Sequence, residues 1–434
     1  CAPRGDLFLA YPLATAGGFK IINVETTMNT RCPFHATAAL CFAAAFPNAQ
    51  AAISNGTVKI GVIGDLSGIL SEVSGKGSLI AATMAVEAYG GKVAGMPIEI
   101  VQVDHQNKAD IAANTVRKWF AVDGVDMVTD LANSWVALAV SQIGKEKNKV
   151  VLVTGAGVSE LTGKACTPNT IHWTYDTESI SRATTSALVN SGLKSWFFLT
   201  PDYAFGTAMQ RDATAVIEAK GGKILGSVKQ PMNPSDFSSF LLTAQQSKAQ
   251  VIALVTVGKD LVNEVKQAAE FGVGKDESQR LAGLLVTLTD VKAMGLKNAQ
   301  GLVVTTPFYW DRDEKTRASA TEFAKRNGGS YPVMMQAGVY SAVLHYLKSV
   351  EALKSDEDGA AVVAKMKQLP TDDPLFGRGI IRKDGRKVHP MYVYQVKRPE
   401  ESRAPWDLYK LMSTVKAEDA FQPMAERDCA FAKQ

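Results

Sequence analysis

The sequence predicts an α/β protein in which two consecutive series of strands and helices form two similar lobes, each with its own sheet. Three observations support this. From Val58 onward, apolar strand-like runs alternate with helix-like segments, the pattern of βαβ units with right-handed crossovers. The run VVLV at 150–153 is uninterrupted and apolar, as in a parallel strand buried on both faces. After Asp176 a second series begins and continues over a similar length.

The first series starts with VKIGVIGDLSG, a strand whose turn falls at residues 65–68. An alanine-rich helix at 77–89 follows, and the pair Gly90-Gly91 stops it, because glycine accepts the left-handed conformation that ends helices. The remaining predicted elements are a strand at 97–104, a helix at 108–121, strands within 125–140 and 150–153, and a strand at 170–175.

The second series is predicted from the same two periodicities. Its helices are expected at 180–191, 205–220 and 261–271, and its strands are SWFFLT at 195–200, KILGSVKQP at 223–231, QVIALVT at 250–256, LAGLLVTLT at 281–289 and GLVVTTP at 301–307. The last part returns to helices at 340–352 and 359–368. It ends with GRGIIRKDGRKVHPMYVYQV at 377–396, two strands around an Asp-Gly turn.

Two neighbouring strand ends form the first candidate site. The turn Thr154-Gly155-Ala156-Gly157 follows the VVLV strand, and Ala132, Asn133 and Ser134 follow the strand before it. In open α/β sheets, ligands bind outside the carboxyl ends of the strands, where turn amides and helix N-termini point outward. We therefore expect hydroxyls and free amides to meet at this edge.

Aromatic residues also follow strands instead of lying inside them. Tyr203 and Phe205 come after SWFFLT, and Tyr309 and Trp310 come after GLVVTT. Together with Trp135 and Tyr175 they can line a cleft between the lobes as the apolar wall of a small-molecule site. The alternative is that each ring closes the core of its own lobe.

Composition narrows the function classes. The chain has 434 residues, 46% of them apolar and 21% charged, with a net charge of +4, which is ordinary for a soluble globular protein of two domains. The sequence contains no basic tract of the kind that would indicate a nucleic-acid partner.

The N-terminal region indicates export. Met28 is the first methionine, and Arg31, an apolar run at 36–46 and the small residues Ala49 and Ala51 follow it, as in a secretory signal peptide. We expect residues 28–51 to be that signal and residues 1–27 to be upstream sequence. A membrane anchor is the alternative, but the run is shorter than the ~20 residues that span a bilayer, so we expect no membrane insertion after cleavage.

Export leaves two cysteines. Cys1, Cys32 and Cys41 lie in the removed part, and the residues before Cys41 are a poor match to a lipid-attachment motif. Cys166 and Cys429 remain, and in an oxidising compartment two remaining cysteines are more often paired than free. We expect a soluble periplasmic protein with a disulfide between them.

Enzyme signals are weak. The run Gly75-Lys76-Gly77-Ser78 lacks the spacing of a phosphate loop. The Gly155-Ala156-Gly157 turn has Glu160 where a dinucleotide site has its third glycine, which leaves a nicotinamide-dependent oxidoreductase as a distant alternative. The histidines are scattered singly, without metal-ligand spacing. We expect no cofactor, no metal and no catalytic residue.

The order of several motifs supports a family assignment. These are VKIGVIGDLSG, GAGVSELTG, DYAFG, DFSSFL, QAAEFGV, GLVVTTPFYWD and the final IIRKDGR with YVYQV. The chain from Thr57 to Lys397 resembles the periplasmic solute-binding proteins of ABC importers, in the leucine/isoleucine/valine-binding class. The resemblance implies a type I periplasmic binding protein fold, with two Rossmann-like lobes joined by a three-strand hinge that closes on a ligand. The implied boundaries are 58–175 and 307–375 for lobe 1, 176–306 and 376–396 for lobe 2, and 397–434 for a C-terminal tail.

The resemblance also implies ligand contacts. By position, Ser134 with its neighbours Asn133 and Trp135 matches the carboxylate-binding segment, and Ala156 and Val158 match backbone contacts. Phe205 falls where an aromatic residue covers the ligand, with Tyr203 beside it, and Tyr309 or Trp310 falls at a further aromatic contact.

One departure concerns the ligand. Amino-acid binders of this class place a carboxylate against the ligand ammonium, whereas the matching segment here is 286–289, which offers Thr287 and Thr289. The nearest acid, Asp290, is not placed in the cleft by the resemblance, and an unpaired buried ammonium costs several kcal/mol. We therefore expect a receptor that delivers an aromatic or other organic acid to the permease of an ABC importer, with a branched-chain amino acid as the alternative ligand.

Overall fold

The computed structural model of the protein describes residues 53–274 and 278–433. The predicted signal peptide and the segment before it lie outside these residues.

A six-stranded sheet organises the first part of the chain, with strand order β2-β3-β1-β4-β5-β6. Its strands and helices are β1 (Val58–Gly64), α1 (Gly75–Tyr89), β2 (Lys92–Val93), β3 (Met96–Asp104), α2 (Ala109–Ala121), β4 (Met127–Asp130), α3 (Ser134–Lys147), β5 (Val150–Val153) and β6 (Thr170–His172). Neighbouring strands are parallel except β2 and β3. Every residue of β4 and β5 is buried, because helices cover both faces of the sheet.

A second sheet of four parallel strands, in the order β10-β9-β7-β8, follows it. Its elements are α4 (Thr177–Asn190), β7 (Ser195–Pro201), α5 (Ala204–Ala219), β8 (Lys223–Gln230), α6 (Ser238–Gln246), β9 (Val251–Leu254), α7 (Gly258–Glu270), β10 (Arg280–Gly283), α8 (Leu288–Met294) and α9 (Leu296–Ala299). All seven residues of β7 are buried, as expected for a central strand.

The last part of the chain contributes to both sides of the molecule. Its elements are β11 (Val303–Thr306), α10 (Glu314–Arg326), α11 (Met334–Leu353), α12 (Gly359–Gln368), β12 (Thr371–Asp373), β13 (Gly377–Ile381), β14 (Lys387–Val388), β15 (Met391–Val396), β16 (Tyr409–Val415) and α13 (Ala417–Ala420). Helix α11 packs against the first sheet, whereas β11 and β15 share the core of the second. The chain therefore crosses between the two sides near 172–177, 306–314 and 381–391.

The predicted α/β class is confirmed. Several predicted strands are longer than the observed ones, and two stretches differ in more than length. LAGLLVTLT forms a strand only over β10, because Thr287 and Asp290 cap a helix that starts at Leu288. In the final segment, β13 pairs with β14 around Asp384-Gly385, but β15 pairs with β11 and β16. Strand β16 lies within the residues that were predicted to form a tail.

Buried charges lie at the crossings, in a group that we call the hinge cluster: Asp176, Arg386 and Arg427. Arg427 Nη2 donates to Asp176 Oδ2 at 3.0 Å, and Arg386 Nε lies 3.9 Å from the same oxygen. Arg386 also donates to the carbonyl oxygens of Tyr175 and Trp173. The structure joins Cys166 and Cys429 by a disulfide, so the segment that carries Arg427 is covalently attached beside the first sheet.

Candidate ligand-binding site

The candidate site begins where β4 and β5 end side by side. Asp130 and Leu131 adopt left-handed backbone conformations, with φ of 79° and 60°, which turn the chain sharply toward α3. The amides of Thr154 and Gly155 both donate to the carbonyl oxygen of Asp130, at 3.1 and 2.8 Å. A Cβ on Gly155 would lie 2.6 Å from the Cα of Ala132, so only glycine lets the two turns approach this closely.

The turn at 155–157 has its carbonyl oxygens occupied and its amides free. The three carbonyls accept hydrogen bonds from Tyr175 Oη, His172 Nε2 and the amide of Thr177, at 2.9, 2.8 and 2.8 Å. Burial lowers the pKa of His172 to about 3, so its ring is neutral and donates through Nε2. No described residue accepts a hydrogen bond from the amides of 156–158. The free groups of this turn are therefore donors, which suit an anion.

The first turn of α3 adds a hydroxyl. The Asn133 side chain caps the helix by accepting from the amide of Trp135 at 2.8 Å. Ser134 is only 1% exposed, and its hydroxyl has no hydrogen-bond partner among the described residues. A helix N-terminus carries partial positive charge, which also favours an anion here.

Ser134 belongs to a cavity between the two sides of the molecule, which we call the Ser134 cavity. Its lining is mostly apolar and consists of Leu70, Val73, Ala132, Ser134, Gly155, Gly157, Tyr175, Tyr203, Phe205, Val257, Gly258, Leu285, Thr287, Asp290 and Met335. The volume open to the centre of a water molecule is about 20 Å³, room for roughly one water. The structure therefore shows the site closed.

Direct contacts hold the two sides together at this cavity. The amide of Lys259 donates to the carbonyl oxygen of Ile69 at 3.3 Å. A Cβ on Gly258, which has a φ of 59°, would lie 2.4 Å from the same oxygen. A ligand of several atoms enters only when these sides move apart.

Aromatic rings form one wall of the cavity. The ring centroids of Tyr203 and Phe205 are 5.9 Å apart. A Cβ on Gly157 would lie 2.5 Å from the Tyr175 ring and 3.2 Å from the Phe205 ring, so the missing side chain lets both rings rest on the donor-rich turn. Trp135 meets Tyr203 edge to face at 6.0 Å and is 47% exposed, which places it at the cavity mouth.

A carboxylate also lines the cavity, and this corrects an expectation from the sequence. Asp290 was not expected in the cleft, but it lines the cavity with Thr287 because residues three apart share a face in the first turn of α8. Asp290 Oδ2 accepts from the amide and the hydroxyl of Thr287, at 2.8 and 2.7 Å. Burial raises the pKa of Asp290 to about 6, and the two hydrogen bonds oppose this rise.

The structure brings only part of the predicted site together. Ser134, Tyr203, Phe205 and Thr287 line the Ser134 cavity, whereas the remaining predicted contacts do not. Asn133 is a helix cap, Trp135 lies at the mouth, Ala156 and Val158 are buried beside the lining glycines, and Thr289 Oγ1 lies 3.0 Å from Thr287 Oγ1. Tyr309 lines a neighbouring cavity, and Trp310 stacks on Tyr331 at 4.5 Å and donates to the carbonyl oxygen of Trp406.

Several lining residues were missed. Val257 and Gly258 follow strand β9, so the rule that found Ser134 also applies to them. Leu70 and Val73 follow β1 in the same way. Met335 had no signal of this kind, because it lies in the first turn of a helix whose position depends on the crossings between the two sides.

A family model described as periplasmic binding protein matches residues 57–403, most of the chain. The chain belongs to the periplasmic binding protein family. It is a type I periplasmic binding protein of ABC transporters, a family of extracytoplasmic solute receptors, and the predicted fold and family are confirmed. Across residues 53–274 and 278–433, no helix of this binding protein combines the length and apolarity that crossing a bilayer requires.

Solved structures support the assignment. A periplasmic binding protein from Burkholderia mallei is 46% identical, with a TM-score of 0.84 and coverage of 87% of this chain and 99% of that chain. A branched chain amino acid ABC transporter periplasmic ligand-binding protein from Burkholderia xenovorans LB400 is 39% identical, with a TM-score of 0.78 and coverage of 86% and 100%. A solute binding protein from Rhodopseudomonas palustris BisB5, solved with 3,4-dihydroxy benzoic acid, is 22% identical, with a TM-score of 0.75 and coverage of 83% and 98%, and shows the shared fold.

Proposed function

We propose that this periplasmic binding protein delivers a small carboxylate with an aromatic or other apolar body to the permease of an ABC importer. The observation that carries the proposal is the pairing of free donors with an apolar wall. The amides of 156–158 and the Ser134 hydroxyl have no partner among the described residues, and Tyr203 and Phe205 line the same cavity as Ser134. Donors at a helix N-terminus bind the carboxylate, and the rings bury the body.

Closure follows from the same arrangement. A ligand held by donors on the first side and rings on the second interacts with both sides only when they are together. Burying its apolar surface contributes roughly 25 cal/mol per Å², which favours the closed form over the open one. The permease is the proposed partner that recognises this closed form.

A branched-chain amino acid is the second candidate, because Asp290 lines the cavity. An ionised carboxylate there is suited to a ligand ammonium. The relative from Burkholderia xenovorans LB400 is described as a branched chain amino acid ABC transporter periplasmic ligand-binding protein, which agrees with this candidate.

Titration calorimetry with benzoate and cinnamate on one side and leucine and valine on the other decides between the candidates. The proposal expects one bound acid per protein, no turnover, and equal or tighter binding of the acid by Asp290→Asn, because a negative neighbour is removed. Tight leucine binding that Asp290→Asn abolishes, with no heat from either aromatic acid, would replace the proposal with the second candidate.

Asp313→Asn is the matched control, because Asp313 and Thr316 form the same kind of reciprocal cap on α10. This variant loses a cap carboxylate outside the cavity, so both ligand classes should bind it as they bind the unmodified protein. A change there equal to that of Asp290→Asn would mean that capping, and not charge in the cavity, explains the effect.

Export is the remaining part of the proposal. We propose that the signal peptide at 28–51 is cleaved after Ala51 and that the receptor works in the periplasm. Mass spectrometry of the periplasmic protein should give an N-terminus at Ala52. A protein recovered with Met28 would contradict this.

A further inference from the structure

A second cavity lies directly behind the Ser134 cavity, and we call it the distal cavity. It is lined by Val286, Thr287, Leu288, Thr306, Phe308, Tyr309, Pro332, Val333, Met334 and Tyr409, with about 10 Å³ open to the centre of a water molecule. Thr287 lines both cavities. Leu285 and Met335 line the Ser134 cavity, and their neighbours in the chain, Val286 and Met334, line the distal cavity. The two cavities are therefore neighbours separated by a thin wall.

Methionine forms part of that wall on α11. Met334 and Met335 are both buried, one facing each cavity. Methionine has an unbranched side chain with three rotatable bonds, so it can adopt a different rotamer around a longer ligand at small cost. The wall thus permits the two cavities to join when a ligand needs both.

The polar groups of the distal cavity are bonded, with one exception. Tyr309 Oη donates to the carbonyl oxygen of Trp406 at 3.3 Å, and Thr306 Oγ1 donates to that of Phe308 at 2.8 Å. Tyr409 is only 5% exposed, yet its hydroxyl is enclosed without a hydrogen-bond partner among the described residues. Buried hydroxyls normally have a partner, so this one points to a group that the protein itself does not supply.

Neighbouring aromatic rings fix the position of the Tyr409 side chain. Its ring centroid lies 5.0 Å from that of Tyr309 and 5.7 Å from that of Tyr394, in an aromatic cluster that fixes its orientation. Burial raises the pKa of Tyr409 well above its ordinary value, so the hydroxyl keeps its proton and remains able to donate. Residue 409 lies beyond the 57–403 segment that matches the family model.

We propose that the distal cavity is a second ligand subsite, in which the Tyr409 hydroxyl hydrogen-bonds a polar group at the far end of an elongated carboxylate. The ligand class is an acid with a carboxylate at one end, an apolar or aromatic body, and a hydroxyl at the other end. The inference rests on the proposed function, because the Ser134 cavity holds the carboxylate that sets the direction of the ligand.

The test compares 4-hydroxycinnamate with cinnamate, which differ only in the distal hydroxyl. The full mature protein should bind 4-hydroxycinnamate at least about fivefold more tightly, the factor expected for one neutral hydrogen bond. Tyr409→Phe should bind the two acids equally. Tyr309→Phe is the matched control, because it removes a hydroxyl of the same cavity that is already bonded, and it should keep the preference.

Thermal unfolding without ligand gives an independent readout. Replacing an unpaired buried hydroxyl by hydrogen is neutral or stabilising, so the melting temperature of Tyr409→Phe should equal or exceed that of the unmodified protein. Tyr309→Phe should melt lower, since it loses a bond.

The outcomes separate this inference from the proposed function. If both acids bind but the hydroxyl preference is absent, or persists in Tyr409→Phe, the distal cavity holds water only and the subsite is wrong while the proposed function stands. If neither acid binds while leucine does, the aromatic-acid proposal and the subsite both fail.

Discussion

The hinge cluster and the Ser134 cavity are two buried polar regions that differ in how their polar groups are paired. In the hinge cluster, Arg386 and Arg427 direct their donors at the Asp176 carboxylate and at backbone carbonyls. At the cavity, the Ser134 hydroxyl has no partner among the described residues, and neither do the amides of 156–158 in the turn whose glycines line it. Buried polar groups that find partners within the chain hold a structure together, and unpaired donors grouped at a cavity are suited to a ligand.

The pKa values express the same difference. Burial alone would raise the pKa of Asp176, but the charges of Arg386 and Arg427 hold it well below its ordinary value. In the cavity, burial raises the pKa of Asp290 to about 6, with only hydrogen bonds from Thr287 to oppose it. Mutations in the first region should therefore change stability, and mutations in the second should change ligand affinity.

Removing Arg427 should give the largest effect. Arg427→Met leaves the more distant Arg386 as the only arginine paired with Asp176, and breaking a buried ion pair costs about 3–5 kcal/mol of the free energy of unfolding. Urea unfolding measures this cost. The control is Arg398→Met. The Arg398 side chain pairs with Glu400 but is 63% exposed, so this variant should change the free energy of unfolding by less than ~0.5 kcal/mol.

Acid should reduce the difference between Arg427→Met and the unmodified protein. The folded pKa of Asp176 is depressed, so the pairing stabilises fully above the unfolded pKa of ~3.9 and is lost as the pH falls through the lower folded value. Equal stability of the two proteins at neutral pH would contradict the role of the hinge cluster.

Removing the disulfide should have the next largest effect. The bond joins residues 263 apart in sequence, and replacing both Cys166 and Cys429 by serine should cost about 2–5 kcal/mol of unfolding free energy. Urea unfolding of the double variant measures the cost, and the unmodified protein with reductant should match it. Alkylation of both thiols in the unreduced, denatured protein would show that the bond is absent from the isolated protein.

Ser134→Ala should weaken ligand binding with little change in stability. A hydrogen bond to a charged group contributes ~1.5–3 kcal/mol, and calorimetry should show that loss in the binding free energy of the carboxylate. Ser141→Ala is the control, since Ser141 is a buried serine of the same helix whose hydroxyl is also unpaired but does not line the cavity. Equal losses of affinity in the two variants would remove Ser134 from the site.

The smallest expected effect is the pH dependence that Asp290 confers on binding. A carboxylate ligand favours protonated Asp290, so its affinity should fall as the pH rises through about 6, by no more than ~1.4 kcal/mol, or tenfold. A ligand with an ammonium group favours the ionised form, so its affinity should rise over the same range. Asp290→Asn should remove the dependence in either case, and a dependence that persists would exclude Asp290 as its source.

Local pattern predicted much of the fold. Apolar runs, and glycines that end helices, located most strands and helices, because the spacing of apolar residues along the chain reflects which positions of each element are buried. LAGLLVTLT was predicted as one strand, yet Thr287 and Asp290 form a reciprocal cap that starts α8. The apolar residues before this cap are compatible with a strand, but β10 ends at Gly283, and the hydrogen bonds of the cap decided where α8 begins.

The structure brings part of the predicted site together for a related reason. The strand-end rule predicted that Ser134 and the donor-rich turn lie close together, and they do, since parallel strands end at one edge of their sheet. The same rule put Tyr309 and Trp310 at the cleft, but the structure places them outside the Ser134 cavity. They follow β11, a strand that pairs antiparallel with β15 and not with the parallel strands. Their rings accordingly lie beyond the Ser134 cavity.

The sequence by itself determined the alternation of strands and helices, the glycine turn at 155–157 and the Ser134 position, because each depends on residues close together in the chain. Only the tertiary structure decided that Asp290 and Met335 line one cavity with Ser134, that Tyr409 lines the neighbouring cavity, and that Arg427 reaches Asp176. These arrangements join distant parts of the chain, and the three crossings between the two sides bring them together. No local periodicity records such an arrangement, because it depends on how two cores pack around shared connections.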